Sequence, residues 1–167
     1  MAETATVAHL IDLSIQAERR AETLYVSLSK MFANCPDVAK FWELYAKEEA
    51  GHARWLENLR KRVGQEVLNQ PADPEMLREA NRNLAGDIGL ILAGIQDLQE
   101  AYDTVNEIEH NETNHVFEFL VAHFAEDQNT QTFLRSQLRD HIGRLLMEFP
   151  ENYRQPSVRR GIKPIRA

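Results

Sequence analysis

The sequence predicts an all-α protein: a four-helix bundle built from two antiparallel helical hairpins with a long crossover between them. Three observations support this fold. The chain has 167 residues, which is enough for one domain with a sizeable core. Proline, which breaks helix interiors, occurs six times and is absent from residues 1–35 and 75–149. Apolar residues recur at spacings of three and four through the long proline-free blocks, as on a buried helix face.

The first predicted hairpin consists of two long helices joined by a short turn. The first helix spans about residues 6–33, and the second spans about residues 36–63. Pro36 fits the start of the second helix, because proline suits the first helical position. Gly64 follows its end, where glycine commonly closes a helix.

The predicted crossover runs from about residue 64 to residue 95 and contains one short helix. Asp73 and Pro74 read as an N-cap followed by a first helical residue, and this helix extends to about Leu84. Three glycines loosen the segment that follows, namely Gly86, Gly89 and Gly94.

The second predicted hairpin completes the bundle, which occupies residues 1–149. Its first helix spans about residues 96–125, and its second begins at an N-cap formed by Asn129 or Thr130 and ends at Pro150. Residues 150–167 carry five bases and one acid without apolar periodicity, so we expect a basic, extended or disordered tail.

Composition excludes several classes of function. The 26 acidic and 19 basic residues give a net charge of −7, which argues against a nucleic-acid partner. Cys35 is the one cysteine, so an intramolecular disulfide is impossible and a reducing, cytoplasmic location is expected. The apolar run at residues 88–95 is far shorter than the ~20 residues that span a bilayer, and the N-terminus does not resemble a secretory signal, so we expect no membrane partner.

Polar residues occupy the middle of every predicted inward-facing stripe. Buried carboxylates are costly unless they pair with positive charge or bind metal, and no Lys or Arg lies nearby on these stripes. Two divalent cations would neutralise four carboxylates, and a Glu-x-x-His pair can reach one ion. The sequence therefore predicts a di-metal site formed by Glu18, Glu49, His52, Glu109, Glu112 and His141.

Each of these residues also has a purely structural interpretation. A single Glu-x-x-His is common on charged helices, and Glu109 and Glu112 lie in a polar stretch that fits a solvated face. His141 fits a core histidine with one partner, and Tyr25 fits packing. Their coincidence on four helices is what favours metal binding.

Three segments resemble the rubrerythrin branch of the ferritin-like superfamily. Residues 17–25 resemble its first-helix signature, residues 41–52 its second and residues 101–117 its third. The resemblance covers about residues 7–63 and 97–149. It implies a di-iron centre that reduces peroxide or handles iron and O₂. Two iron ions are expected and one is possible, and zinc or manganese can substitute for iron.

The resemblance also assigns roles to single residues. The ligands would be the six residues of the predicted di-metal site, and Glu112 would correspond to a glutamate that can exchange with histidine when the metals change oxidation state. Tyr25 would donate a hydrogen bond near the metals. The candidate catalytic residues are accordingly Glu18, Glu49, Glu112 and Tyr25.

The fourth helix departs from the family pattern. The family expects Glu-x-x-His there, but this chain has Leu138 followed by His141, so a bridging carboxylate is missing unless Glu112 or Asp140 replaces it. An alternative register uses His115, three residues after Glu112, as the second histidine. Leu138 also keeps two other functions open: iron binding or storage without turnover, and an interaction module that has lost catalysis.

Partners follow from two further features. Full-length rubrerythrins carry paired Cys-x-x-Cys motifs, and with Cys35 alone this chain would take electrons from a separate protein or small reductant, or not at all. We expect Leu13 and Leu44 to be exposed. Exposed leucines on the first two helices suggest a seam, that is, an interface between the two subunits of a homodimer. The basic tail is either a docking segment or a solvated end.

Overall fold

A computed structural model describes residues 5–110 and 113–166, without the side chains of residues 113, 114 and 142. The described residues form nine α-helices and one short 3₁₀ helix, and no β-strand, which confirms the all-α prediction. In chain order they are α1 Val7–Met31, α2 Pro36–Arg62, α3 Gln65–Leu68, α4 Pro74–Asn83, α5 Ile88–Gly94, α6 Leu98–His110, α7 Thr113–Phe124, α8 Gln128–Met147, the 3₁₀ helix Glu151–Tyr153 and α9 Pro156–Arg160.

Helices α1 and α2 form the first antiparallel hairpin. The Asp12 carboxylate lies 3.0 Å from the Arg60 guanidinium near one end, and Ser29 donates to Glu43 at 3.4 Å near the other. Early residues of α1 therefore lie beside late residues of α2, and the two helices run in opposite directions. Pro36 is the first residue of α2, as the sequence predicts.

The crossover contains α3, α4 and α5. The Asp73 carboxylate accepts from two backbone N–H groups and caps α4, which confirms the predicted cap. Residues 88–94, which we expected to be loosened by glycine, instead form α5. The reason is a second cap, because the Asp87 carboxylate accepts from the N–H groups of Gly89 and Leu90.

Helices α6, α7 and α8 make up the second hairpin. The predicted third helix corresponds to α6 and α7, which lie on either side of residues 111 and 112. The predicted caps of the fourth helix, Asn129 and Thr130, are wrong. Asp127 is the N-cap, and its Oδ1 accepts from the N–H of Thr130 at 2.7 Å, the third residue into the helix.

The buried apolar residues form two clusters, one toward each end of the bundle. The first is centred on Tyr25, Trp42 and Phe149, and the second on Leu56 and Phe117. On α1, α2, α6 and α8 the buried glutamates and histidines lie between residues of the two clusters or next to the point where one cluster ends. The core is thus apolar at its ends and polar at its middle.

The prediction that Leu13 is exposed is wrong, because the crossover covers that side of α1. Leu13 is buried in the second cluster with Met76 and Ala80 of α4. Leu44 is 51% exposed, as expected. In the part of the chain that the structure describes, no helix is both long and apolar enough to cross a membrane.

The C-terminal segment differs from the extended or disordered tail that its composition predicts. It forms the 3₁₀ helix and α9, and Arg159 is buried with its guanidinium 4.0 Å above the Tyr102 ring. Two backbone hydrogen bonds tie the segment to the bundle: Leu98 donates to Ile162 at 2.9 Å, and Ile165 donates to Met31 at 2.7 Å.

The physical reason is that the arginines of this segment bind carbonyl groups at helix ends. Arg154 donates to the carbonyls of Met147 and Phe149, just where α8 finishes. Arg166 donates to carbonyls at the end of α5, including that of Leu92 at 3.1 Å. The last carbonyls of a helix lack intrahelical partners and attract positive charge. The bases therefore fix the segment in place.

Candidate metal centre

Five of the six sequence-predicted ligands meet in the polar layer between the two apolar clusters. All are at most 5% exposed, and they come from four helices: Glu18 of α1, Glu49 and His52 of α2, Glu109 of α6 and His141 of α8. The sixth, Glu112, lies outside the described residues.

The five residues form two triads that share Glu49. In the first triad, His52 Nδ1 lies 3.4 Å from Glu49 Oε2 and 3.5 Å from Glu18 Oε2. In the second, His141 Nδ1 lies 3.2 Å from Glu49 Oε1 and 3.5 Å from Glu109 Oε2. Within each triad the potential ligand atoms lie within 4.8 Å of one another. Each oxygen of Glu49 therefore faces one triad, the arrangement of a bridging carboxylate.

The hydrogen bonding of the two histidines fits metal ligation. Among the described groups, His52 Nδ1, His52 Nε2 and His141 Nδ1 have no hydrogen-bond partner, although all are buried. Unpaired polar atoms are unusual in a protein interior. Imidazole nitrogen and carboxylate oxygen together suit iron, zinc or manganese, so this donor set fits a divalent cation in each triad.

Protons compensate the charge of the layer when no metal is bound. Burial by itself lowers the pKa of His52 and of His141, but contacts with neighbouring carboxylates outweigh it and raise both pKa values to about 10. Burial, together with the charge of Glu18, raises the pKa of Glu49 to about 8. Burial also acts to raise the pKa of Glu18, but contacts with Glu49 and His52 lower it overall. At neutral pH His52, His141 and Glu49 therefore carry protons, which a cation can replace.

Two tyrosines hold groups of the second triad. The Tyr25 hydroxyl donates to Glu109 Oε1, which is the hydrogen bond that the family resemblance implies. Burial and the charge of Glu109 raise the pKa of Tyr25, so the phenol keeps its proton and remains a donor. The Tyr45 hydroxyl donates to the backbone carbonyl of His141 at 2.5 Å.

The helical spacing used to predict the ligands does not predict Glu48 and Arg144 as part of the site. Glu48 accepts from His141 Nε2 through one carboxylate oxygen and from Arg144 Nη1 through the other. A positive charge therefore does lie near the polar layer. One signal could have found it, because Arg144 lies three residues after His141 and so on the same side of α8.

The structure also places the residues of the alternative fourth-helix registers. Leu138 is buried in the second apolar cluster, and Asp140 is exposed. His115 is 54% exposed at its side chain, and its Nδ1 lies 2.8 Å from Glu79 Oε2. His141, and not His115, lies beside Glu49.

A cavity of about 780 Å³ lies between α1, α6 and the crossover. Its walls include Ala17 and Ala21, which flank Glu18 along α1, and Ile108, which precedes Glu109 in α6. None of the five clustered residues lines it, so the candidate metal centre lies outside this cavity.

The fold and the polar layer define a helical-bundle protein with a candidate carboxylate–histidine metal centre. The Rubrerythrin family model matches residues 9–137, more than half of the chain, and the protein belongs to the rubrerythrin family. The matched range ends one residue before Leu138 and so does not reach His141. No curated protein and no solved structure matches the chain.

Proposed function

We propose that this protein binds two iron ions in the polar layer and reduces peroxide or O₂. The observation that carries the proposal is the position of Glu49, whose two oxygens face different triads. One carboxylate can then bridge two ions, each with a terminal glutamate and a histidine of its own. Membership of the rubrerythrin family supports iron as the metal.

The bound ferrous pair would supply two electrons, one from each ion, and peroxide would take these with two protons to give two waters. Glu18, Glu49 and Glu109, together with the two histidines, would hold the pair. Tyr25 orients Glu109 through its hydroxyl, and the apolar clusters on both sides of the layer limit the access of water.

Charge balance supports a fourth negative ligand. Three carboxylates oppose the four positive charges of two divalent ions, which leaves one positive charge in a buried layer. We propose Glu112, or an anion from solution, as the group that neutralises this charge. Zinc or manganese would bind to the same carboxylate and imidazole groups.

Metal analysis after anaerobic ferrous loading tests the proposal. We expect between one and two ions per chain in the wild type. Glu49→Ala removes the carboxylate common to both triads and should lower binding at both. Glu43→Ala is the matched control, since Glu43 is an exposed acid on the same helix. Wild-type binding no higher than that of Glu49→Ala would exclude the proposal.

Iron binding without turnover is the second candidate, and the burial of Leu138 favours it. A leucine stands where the family has a bridging glutamate, and it packs in an apolar cluster. Stopped-flow oxidation of the ferrous protein by peroxide separates the candidates. Rapid oxidation with repeated turnover on added reductant supports the enzyme, and one slow oxidation supports storage. A chain that binds no metal would instead fit an interaction module.

We also propose a separate electron donor and a homodimer. Cys35, the one cysteine of the sequence, is buried, so electrons would enter from another protein or a small reductant. Light scattering coupled to size-exclusion chromatography measures the oligomeric state. Leu44→Glu would weaken the dimer if the exposed outer face of α2 forms the seam.

A further inference from the structure

The two triads differ in what holds their histidines. Each triad has one glutamate of its own, the shared Glu49 and an imidazole that faces the carboxylates through Nδ1. The other ring nitrogen, Nε2, lies in a different environment in each case. This difference is the basis for ranking the two positions.

His141 is held by a chain of polar contacts that leads toward the surface. Its Nε2 contacts Glu48 Oε2, and Glu48 Oε1 accepts from Arg144 Nη1. The side chains of Glu48 and Arg144 are 19% and 20% exposed, so solvent only partly screens their contact. Tyr45 adds a hydrogen bond to the backbone carbonyl of His141. Both the ring and the backbone of His141 are thereby fixed.

Within the described part of the chain, His52 has no comparable support. Its Nε2 is buried without a hydrogen-bond partner among the described groups. The ring lies 4.6 Å, between centroids, from the ring of Phe117, which is fully buried. Packing of this kind restricts the ring but does not select the nitrogen that carries the proton.

We propose that Glu48, held by Arg144, is a positioning residue that keeps the Nε2 proton on His141 and presents Nδ1 to the metal, so that the Glu49–Glu109–His141 position fills before the Glu18–Glu49–His52 position. The inference rests on the proposed metal binding. A carboxylate on the distal nitrogen orients a ligating imidazole and makes it a stronger donor. Loss of such a contact commonly lowers metal affinity about 10–100-fold.

Titration of the metal-free protein with Co²⁺ under anaerobic conditions tests the order of filling. We expect two steps in the wild type, with His141→Ala removing the tighter and His52→Ala the weaker. Glu48→Ala should weaken the tighter step about 10–100-fold, and Glu48→Gln should weaken it less, because its amide oxygen still accepts a hydrogen bond. Glu43→Gln is the matched control on α2 and should change neither step.

A second measurement separates positioning from general destabilisation. In the zinc-loaded protein, two-dimensional ¹H–¹⁵N correlation spectra of the histidine rings report which nitrogen is protonated. We expect the ring signals of His141, and not those of His52, to change in Glu48→Gln. Circular dichroism confirms that each variant is folded.

The outcomes distinguish the two proposals. A wild type that binds no metal overturns both the proposed function and this inference. A wild type that binds two ions, with Glu48 variants that change neither step or weaken both steps equally, overturns the inference alone. Tighter binding in His141→Ala than in His52→Ala would reverse the ranking and overturn it as well.

Discussion

Histidine protonation couples the polar layer to the stability of the metal-free protein. The pKa values of His52 and His141 are about 10 in the folded chain, against an ordinary value of 6.5. Because the folded chain binds these protons more tightly than the unfolded chain does, protonation stabilises the fold. This stability is complete below pH 6.5, the unfolded-state value, and is lost as the pH rises through 10, the folded-state value. Glu49, with a pKa of about 8 against 4.5, acts in the same direction between those two values.

We therefore predict that the free energy of unfolding of the metal-free protein falls steadily from pH 7 to pH 10. Urea unfolding at fixed ionic strength measures it. The double variant His52→Gln with His141→Gln should flatten this decline, whereas His123→Gln, which alters an exposed histidine, should preserve it. Stability that is constant or rises over this range would contradict the protonated layer.

A second prediction at the scale of single residues concerns Tyr25. Tyr25→Phe removes the hydroxyl that donates to the buried Glu109 carboxylate, and we expect a loss of about 1–3 kcal/mol in the metal-free protein. Tyr102→Phe is the control. The Tyr102 hydroxyl is half-buried and donates at 3.3 Å to an uncharged acceptor, the backbone carbonyl of Leu145. Its expected cost is about 0.5–1.5 kcal/mol. Equal losses in urea unfolding would show that the Glu109 contact has no special weight.

At the scale of elements, the C-terminal segment closes one end of the bundle. Arg159 stacks on Tyr102, donates to Gln99 at 2.7 Å and donates to the carbonyl of Tyr153 at 3.0 Å. Arg159→Ala would leave these partly buried acceptors unpaired and remove a cation–π contact. We expect a cost of about 2–4 kcal/mol from these two losses together.

Arg160 supplies the matched control for this prediction. It is adjacent to Arg159 and exposed, so Arg160→Ala should change stability by less than about 0.5 kcal/mol. Thermal and urea unfolding of both variants measure the difference. If both substitutions are neutral, the segment does not pack as described.

Periodicity predicted the long helices and the buried positions of five of the candidate ligands, because both depend on local spacing. Glu18, Glu49 and His141 fall on inward faces whatever the rest of the chain does. Spacing within α8 places Arg144 on the same side as His141, but the contacts of both residues with Glu48 span more than ninety positions, so spacing within one helix cannot reveal them. The positive charge of residues 150–167 predicted an extended or disordered tail. Their fold instead depends on helix-end carbonyls that only the assembled bundle brings within reach.

At the scale of the whole molecule, the polar layer interrupts the core between two apolar clusters. Candidate ligands from α1, α2, α6 and α8 meet there, so a bound metal would link all of the long helices that reach this layer. A ligand that binds only the folded state stabilises it by about 2.7 kcal/mol when its free concentration is 100 times its Kd. Metal loading should therefore raise the unfolding midpoint of the wild type and not that of Glu49→Ala.

Leu138→Glu tests how the missing carboxylate affects the stability that metal binding adds to the folded protein. Leu138 is 7% exposed among apolar side chains, so a glutamate there would be buried without a partner in the metal-free protein. We expect the metal-free variant to be less stable than the wild type by about 1–3 kcal/mol, in line with the cost of an unpaired buried polar group. With metal bound, the added carboxylate would supply the ligand that the family has at this position, so the variant should gain more stability from loading than the wild type does. Unfolding curves with and without metal give both quantities. Equal gains in the two proteins would mean that position 138 does not reach the metal centre.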